Sequence, residues 1–167
     1  DGLTIVLTYE GGELVKAVTR GNGEIGEVIT GNARVFANVP LRISYQGTLI
    51  IRGEAVIKYS DFARINEEIE DVDARYKNPR NLCSGSVRQL NNQITAQRNV
   101  HFEAFMLVRA DGVDFGNSRK RQFQWLESQG FDVVEYQEVD TESLPEAVSV
   151  FAEKIQTYDI PSDGLVL

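Results

Sequence analysis

Hydrophobic positions along the chain first mark out strands. Leu3 to Tyr9 and Leu14 to Thr19 are β-rich runs joined by Glu10-Gly11-Gly12-Glu13, which predicts a hairpin. Leu49 to Ile57, LIIRGEAVI, is an apolar, β-branched run of the kind that forms a strand buried on at least one face. Phe102 to Val108 predicts another buried strand, and Phe131 to Tyr136 a shorter one. Ser162-Asp163-Gly164 leads into a last apolar run, Leu165-Val166-Leu167. The segment Asn32 to Asn38, before Pro40, carries little pattern.

Helical spacing falls between these runs. Ser60 is a candidate N-cap for a helix whose Phe62, Ile65 and Ile69 share one face, the acidic side being solvated. Asn78-Pro79 opens a second helix, with Asn as cap and Pro at the first helical position, and Cys83, Val87 and Leu90 facing the core. Asn117 or Ser118 caps a third, carrying Phe123, Trp125 and Leu126 and closed by Gly130. Ser143-Leu144-Pro145-Glu146 reads as a capping box for a helix to about Gln156, with Val148, Phe151, Ala152 and Ile155 inward. Strands mixed with helices, without repeat or linker, predict a single α+β domain.

Composition narrows the class. At 167 residues and 42% hydrophobic, the chain can bury one sizeable core. Seventeen basic against 25 acidic residues leave a net charge of −8, so the surface as a whole does not attract nucleic acid. Cys83 is the one cysteine, which excludes an intrachain disulfide and a cysteine-based zinc site and suits a reducing cytoplasm. No apolar run reaches the ~18 residues of a membrane span. The chain starts at Asp1-Gly2 without Met and stops inside an apolar run, so it is expected to be an excised piece.

Three local features carry candidate chemistry. Arg52-Gly53-Glu54 sets a carboxylate inside an apolar strand, where it is costly unless something pairs with it. Gly53 beside it leaves room for a ligand or another backbone. A plain ion pair at a sheet edge is the competing explanation. Thr19-Arg20-Gly21-Asn22-Gly23-Glu24-Ile25-Gly26-Glu27 is a glycine-rich loop that can approach a phosphate, with Arg20 at its entrance, or else simply a wide turn. From Ala74 to Arg98 there are five basic residues and no acidic one. Arg80, Ser84 and Arg88 span only about 80° of the helix at ~100° per residue, a polar arc fit for phosphate contact.

Taken together these segments resemble the adenylation (nucleotidyltransferase) domain of bacterial NAD-dependent DNA ligases. The order Asp1-Gly2, Thr19-Arg20-Gly21-Asn22-Gly23, Arg52-Gly53-Glu54, Asn78-Pro79-Arg80-Asn81, Gly85-Ser86-Val87-Arg88-Gln89-Leu90, Phe102 to Phe105 and Asp163-Gly164-Leu165-Val166 follows that family's motifs across the full length. The stretch from Asn78 to Arg98 separates it from ATP-dependent ligases.

The resemblance implies an α+β nucleotidyltransferase (ATP-grasp-like) fold of antiparallel sheets packed with helices, residues 1–167 being the adenylation core of a larger multidomain ligase. The implied reaction is nick sealing in duplex DNA, in replication and repair. A lysine attacks NAD and releases nicotinamide mononucleotide, AMP passes to the 5′-phosphate, and the 3′-hydroxyl displaces it, with Mg²⁺ spreading the charge. Glu54 is implied to accept from the AMP ribose or to help organise the metal. Phe105 would stack on adenine, Arg20 would contact the nucleotide, and Arg80, Arg88 and Arg98 would face phosphates of the nick or of AMP. Asp1 and Gly2 would support the nucleophile's loop and Asp163 would stand beside the adenylate pocket.

The nucleophilic lysine would precede Asp1, and two further lysines would follow Leu167, so the chain by itself is expected to be inactive. Zinc belongs only to domains outside this stretch. Asn22 and Val28 stand where the family has Asp. The implied protein is a cytoplasmic monomer that does not engage membranes, whose partners are nicked DNA and NAD or AMP. The alternatives are a non-catalytic nucleotide- or nicked-DNA-binding module on the same fold, and an ATP-dependent nucleotidyltransferase.

Overall fold

The computed structural model describes residues 3–20, 26–162 and 164–167. Four strands, β1 (Leu3–Glu10), β2 (Glu13–Arg20), β3 (Leu49–Val56) and β4 (His101–Ala110), form one antiparallel sheet in the order β2-β1-β3-β4. The predicted hairpin closes on Gly11 and Gly12, both at positive φ (59° and 82°), where only glycine turns without strain. Six helices follow in chain order: α1 (Thr30–Ala33), α2 (Tyr59–Glu68), α3 (Pro79–Val87), α4 (Asn92–Gln97), α5 (Arg119–Ser128) and α6 (Leu144–Thr157).

Period-two alternation gives the sheet one fully buried face. Ile5, Leu7, Tyr9, Leu49, Ile51, Phe102 and Ala104 are solvent-free and pack against Leu82, Cys83 and Val87 of α3 and Leu126 of α5. Gly53 belongs to this face. A Cβ there would lie 2.4 Å from Cζ of Phe102 and 2.6 Å from the Glu103 carbonyl oxygen, so the bare backbone admits a core ring and the neighbouring strand. Of the two predicted uses for this glycine, close approach of another backbone is the one observed.

Asn78 caps α3 as predicted, its side chain accepting from the Asn81 amide at 2.8 Å with Pro79 in the first turn. Ser118 caps α5 and Gly130, at φ 100°, closes it.

Several predicted positions differ. Ser60 lies inside α2, whose cap residue is Lys58; its hydroxyl and amide bind the Asp159 carboxylate instead. Leu90 is fully exposed, because α3 ends at Arg88 and the helical spacing no longer applies. A further short helix, α4, follows the cap residue Asn91, whose side chain accepts from the Gln93 amide, where the pattern predicted none. Phe131 to Tyr136 contributes a single parallel bridge, Ala104 to Val133, as it crosses the outer edge of β4. In α6 the buried residue is Ala147 rather than Ala152, and the Ser143 hydroxyl accepts from Asp140 instead of closing the capping box. Residues 164–167 are exposed and pair with no strand.

Candidate active site

The second face of the sheet holds the polar residues of the alternating strands. Register sets Arg20, Thr4, Glu54 and Glu103 in one row, from β2 through β1 and β3 to β4. Residues directly opposite in an antiparallel pair share a face, so a cation, a hydroxyl and two carboxylates line up at one end of the sheet.

Glu54 is half-buried. Thr4 Oγ1 donates to its Oε1 at 2.6 Å, a short charge-assisted bond. Its Oε2 is buried and finds no hydrogen-bond partner among the described residues. A buried acceptor without a partner costs about 1–3 kcal/mol, and a ligand hydroxyl or a cation would satisfy it. No group of three His, Cys, Asp or Glu side chains converges among the described residues.

Glu103 ends the row beside a cleft of about 420 Å³ lined by Phe131, Asp132, Tyr158 and Ile160. Burial, reinforced by Asp132 and opposed by Lys58, pushes its carboxyl up to about 7 from an ordinary 4.5. A carboxyl raised by folding favours the protonated native state, so its stabilising effect is complete below pH 4.5 and is lost as pH rises to 7. Glu103→Gln is therefore expected to raise the unfolding temperature at pH 8 by roughly 2–4 °C, about 1 kcal/mol after solvent screening of a half-exposed group, with little gain at pH 4.5. Equal effects at both pH values, measured by scanning calorimetry, would contradict the shift.

Phe105 lies at a β-bulge: Gly53 pairs with Ala104 and Arg52 with Met106, so Phe105 is the extra residue opposite that step, adjacent to the Glu54 row. Arg20 is exposed at the end of β2. Asp1, Gly2 and Asp163, and Asn22 of the glycine loop, lie outside the described residues. Val28 is exposed and bridges to Val18.

The basic segment divides. Arg80 and Arg88 are exposed on α3. The Arg88 guanidinium donates to Ser84 Oγ at 2.7 Å, which realises the predicted arc, and to Glu27 Oε2 at 3.1 Å. Glu27 is tied by backbone to Thr19, at 2.9 Å, so Arg88 reaches the same end of the sheet as Arg20. Arg98 is half-buried at the end of α4, bonded to Tyr76 Oη and Ser86 Oγ, both at 3.2 Å, with its guanidinium 5.4 Å from the Tyr76 ring centre. It braces α3 against α4 and does not join the arc. Cys83 is buried behind α3, and burial pushes its thiol up to about 12, far from a nucleophile's range.

Thr4, Glu27 and Glu103 were not singled out from the sequence. Alternation along Leu3 to Tyr9 already assigns Thr4 to the polar face, but its contact with Glu54 needs the register of two strands separated by 50 positions.

Comparison with known proteins identifies the family. The family described as the NAD-dependent DNA ligase adenylation domain matches residues 1–167. A DNA ligase of Ruminiclostridium cellulolyticum is 64% identical over 167 residues, all of this chain and 25% of that protein. A DNA ligase of Lachnoclostridium phytofermentans is 65% identical over 167 residues, 26% of its length. One of Desulfitobacterium hafniense is 38% identical over 171 aligned positions that take in the whole chain. The chain spans about a quarter of the length of these relatives. With the family match running end to end, the chain belongs to the NAD-dependent DNA ligase adenylation domains.

Proposed function

We propose that this chain is the adenylate-forming core of a multidomain enzyme that seals nicks in duplex DNA at the expense of NAD. The observation that supports it most directly is Oε2 of Glu54, a buried carboxylate oxygen without a partner among the described residues, at the end of the sheet where Arg20 also lies. A ribose hydroxyl donating to Oε2 would complete it, with the Phe105 ring one row away for the adenine.

In this reading Arg20 binds the phosphate side of the nucleotide, and Arg80 and Arg88 present charge to DNA phosphates. Arg98 acts at longer range, since Tyr76 and Ser86 already hold its fork. Asp1 and Gly2 support a lysine immediately upstream, whose amine lone pair attacks the α-phosphorus of NAD. The bond to the bridging oxygen breaks, nicotinamide mononucleotide leaves with that electron pair, and the amine loses a proton. Asp163 stands beside the adenylate. Mg²⁺ would supply charge neutralisation at the phosphates when bound. Glu54 is the carboxylate here that would help organise it. We place the enzyme in the cytoplasm as a monomer. No helix among the described residues is long and apolar enough to cross a membrane.

The test is adenylation with labelled NAD, and in parallel labelled ATP, on the polypeptide extended in both directions to the length of its relatives. Label entering from NAD and not from ATP is the expected result. Entry from ATP alone would overturn the choice of co-substrate, and entry from neither would leave a non-catalytic binding module.

A further inference from the structure

The geometry points to Thr4 as the residue that positions Glu54 for its ligand, an inference that rests on the site proposed above. Among the described residues Thr4 is the hydrogen-bond partner of the Glu54 carboxylate, at 2.6 Å from Oε1. Glu103, its other cross-strand neighbour, has Lys58, Asp132 and Tyr158 as its charged and titratable surroundings. A glutamate side chain in a strand has three rotatable bonds, and its terminal torsion is broad. One fixed oxygen removes that freedom. Thr4 is well suited to fix it, because β-branching restricts the χ1 of its hydroxyl and because it is directly opposite Glu54 in register. With Oε1 occupied by Thr4, Oε2 is the oxygen left for a donor outside the protein. Thr4 thus selects which oxygen recognises the ligand without touching it.

A group that orients a carboxylate in both the ground and transition states changes binding rather than turnover. In the full-length enzyme, Thr4→Val keeps the shape and removes the donor. It is expected to raise KM for NAD, and the Kd for AMP measured by calorimetry on adenylate-free enzyme, about tenfold, with kcat within about twofold. Thr4→Ser restores the donor and should return both constants to within about twofold of the parent. Added to Glu54→Ala, Thr4→Val should do nothing further, since the two act through one contact. Unchanged KM and Kd in Thr4→Val, failure of Thr4→Ser to rescue, or additive effects in the double variant would each overturn the inference. Glu54→Gln separates the two levels of the argument. If it alone is silent, the proposed site and Thr4's role fall together; if it is damaging while Thr4→Val is silent, only Thr4's role falls.

Discussion

Replacing Glu54 with alanine should cut transfer of label from NAD to the enzyme by about 100-fold while leaving the fold intact. The two halves of that expectation have separate causes. Oε2 is a buried acceptor with no partner among the described residues, so it contributes a desolvation cost and no compensating bond to the ligand-free protein. Truncation removes that cost together with the Thr4 bond, and the unfolding temperature should move by no more than about 2–4 °C, the equivalent of roughly 1 kcal/mol. Function loses a charge-assisted contact to the ligand, worth up to about 3 kcal/mol, which is close to 100-fold. Label incorporated at the parent rate, with folding verified by calorimetry, would remove Glu54 from the site. A lowered unfolding temperature with matching loss of activity would make it a structural residue instead.

Gly53→Val, one residue away, should do the reverse and act on stability first. Its Cβ position is already filled by the Phe102 ring at 2.4 Å and by the Glu103 carbonyl oxygen at 2.6 Å. The ring can turn; the carbonyl belongs to the β3–β4 ladder and cannot move without breaking it. Overpacking of this kind costs about 1–3 kcal/mol, and the immobile backbone partner places valine near or above the upper figure. A fall in unfolding temperature of roughly 6–12 °C follows. Gly53→Ala should show a smaller loss, partly relieved by Phe102→Leu because only the ring contact yields. An alanine variant as stable as the parent would show that the two strands do not approach so closely. Because Gly53 and Glu54 point to opposite faces of one strand, the two substitutions read the core and the site independently.

Much of the local structure was legible from the chain. The Gly11-Gly12 hairpin, the Asn78-Pro79 helix start and the Ser118 cap each depend on residue chemistry at two to four neighbouring positions, and all three are present. The misreadings have two sources: a local rule overridden by another partner, and a period carried past the end of its element. Ser60 had a better acceptor in Asp159, 99 positions away, than in its own helix amides. Ser143 gave its hydroxyl to the Asp140 amide. Phe131 to Tyr136 has strand composition, yet only Val133 meets the edge of β4. Leu90 kept a helical period beyond the point where α3 ends.

The site divides in the same way. Glu54 was conspicuous because a carboxylate in LIIRGEAVI breaks an apolar run, and the arc of Arg80, Ser84 and Arg88 followed from helical geometry; Arg88 does bond Ser84. Arg98 was placed beside that arc by the resemblance, and in the fold its guanidinium bonds Tyr76 and Ser86, which neither charge nor helical spacing shows. By itself the sequence determined the four strands of the sheet, the helices α2, α3, α5 and α6, and which residues are chemically out of place, because those depend on period and composition over a few positions. Only the tertiary structure decided that Thr4 holds one oxygen of Glu54 and leaves the other without a partner among the described residues, that Glu103 stands beside it with a raised carboxyl, and that Gly53 serves the core. Each of these depends on the register between strands far apart in sequence, and a shift of one residue in that register would exchange the two faces of the sheet.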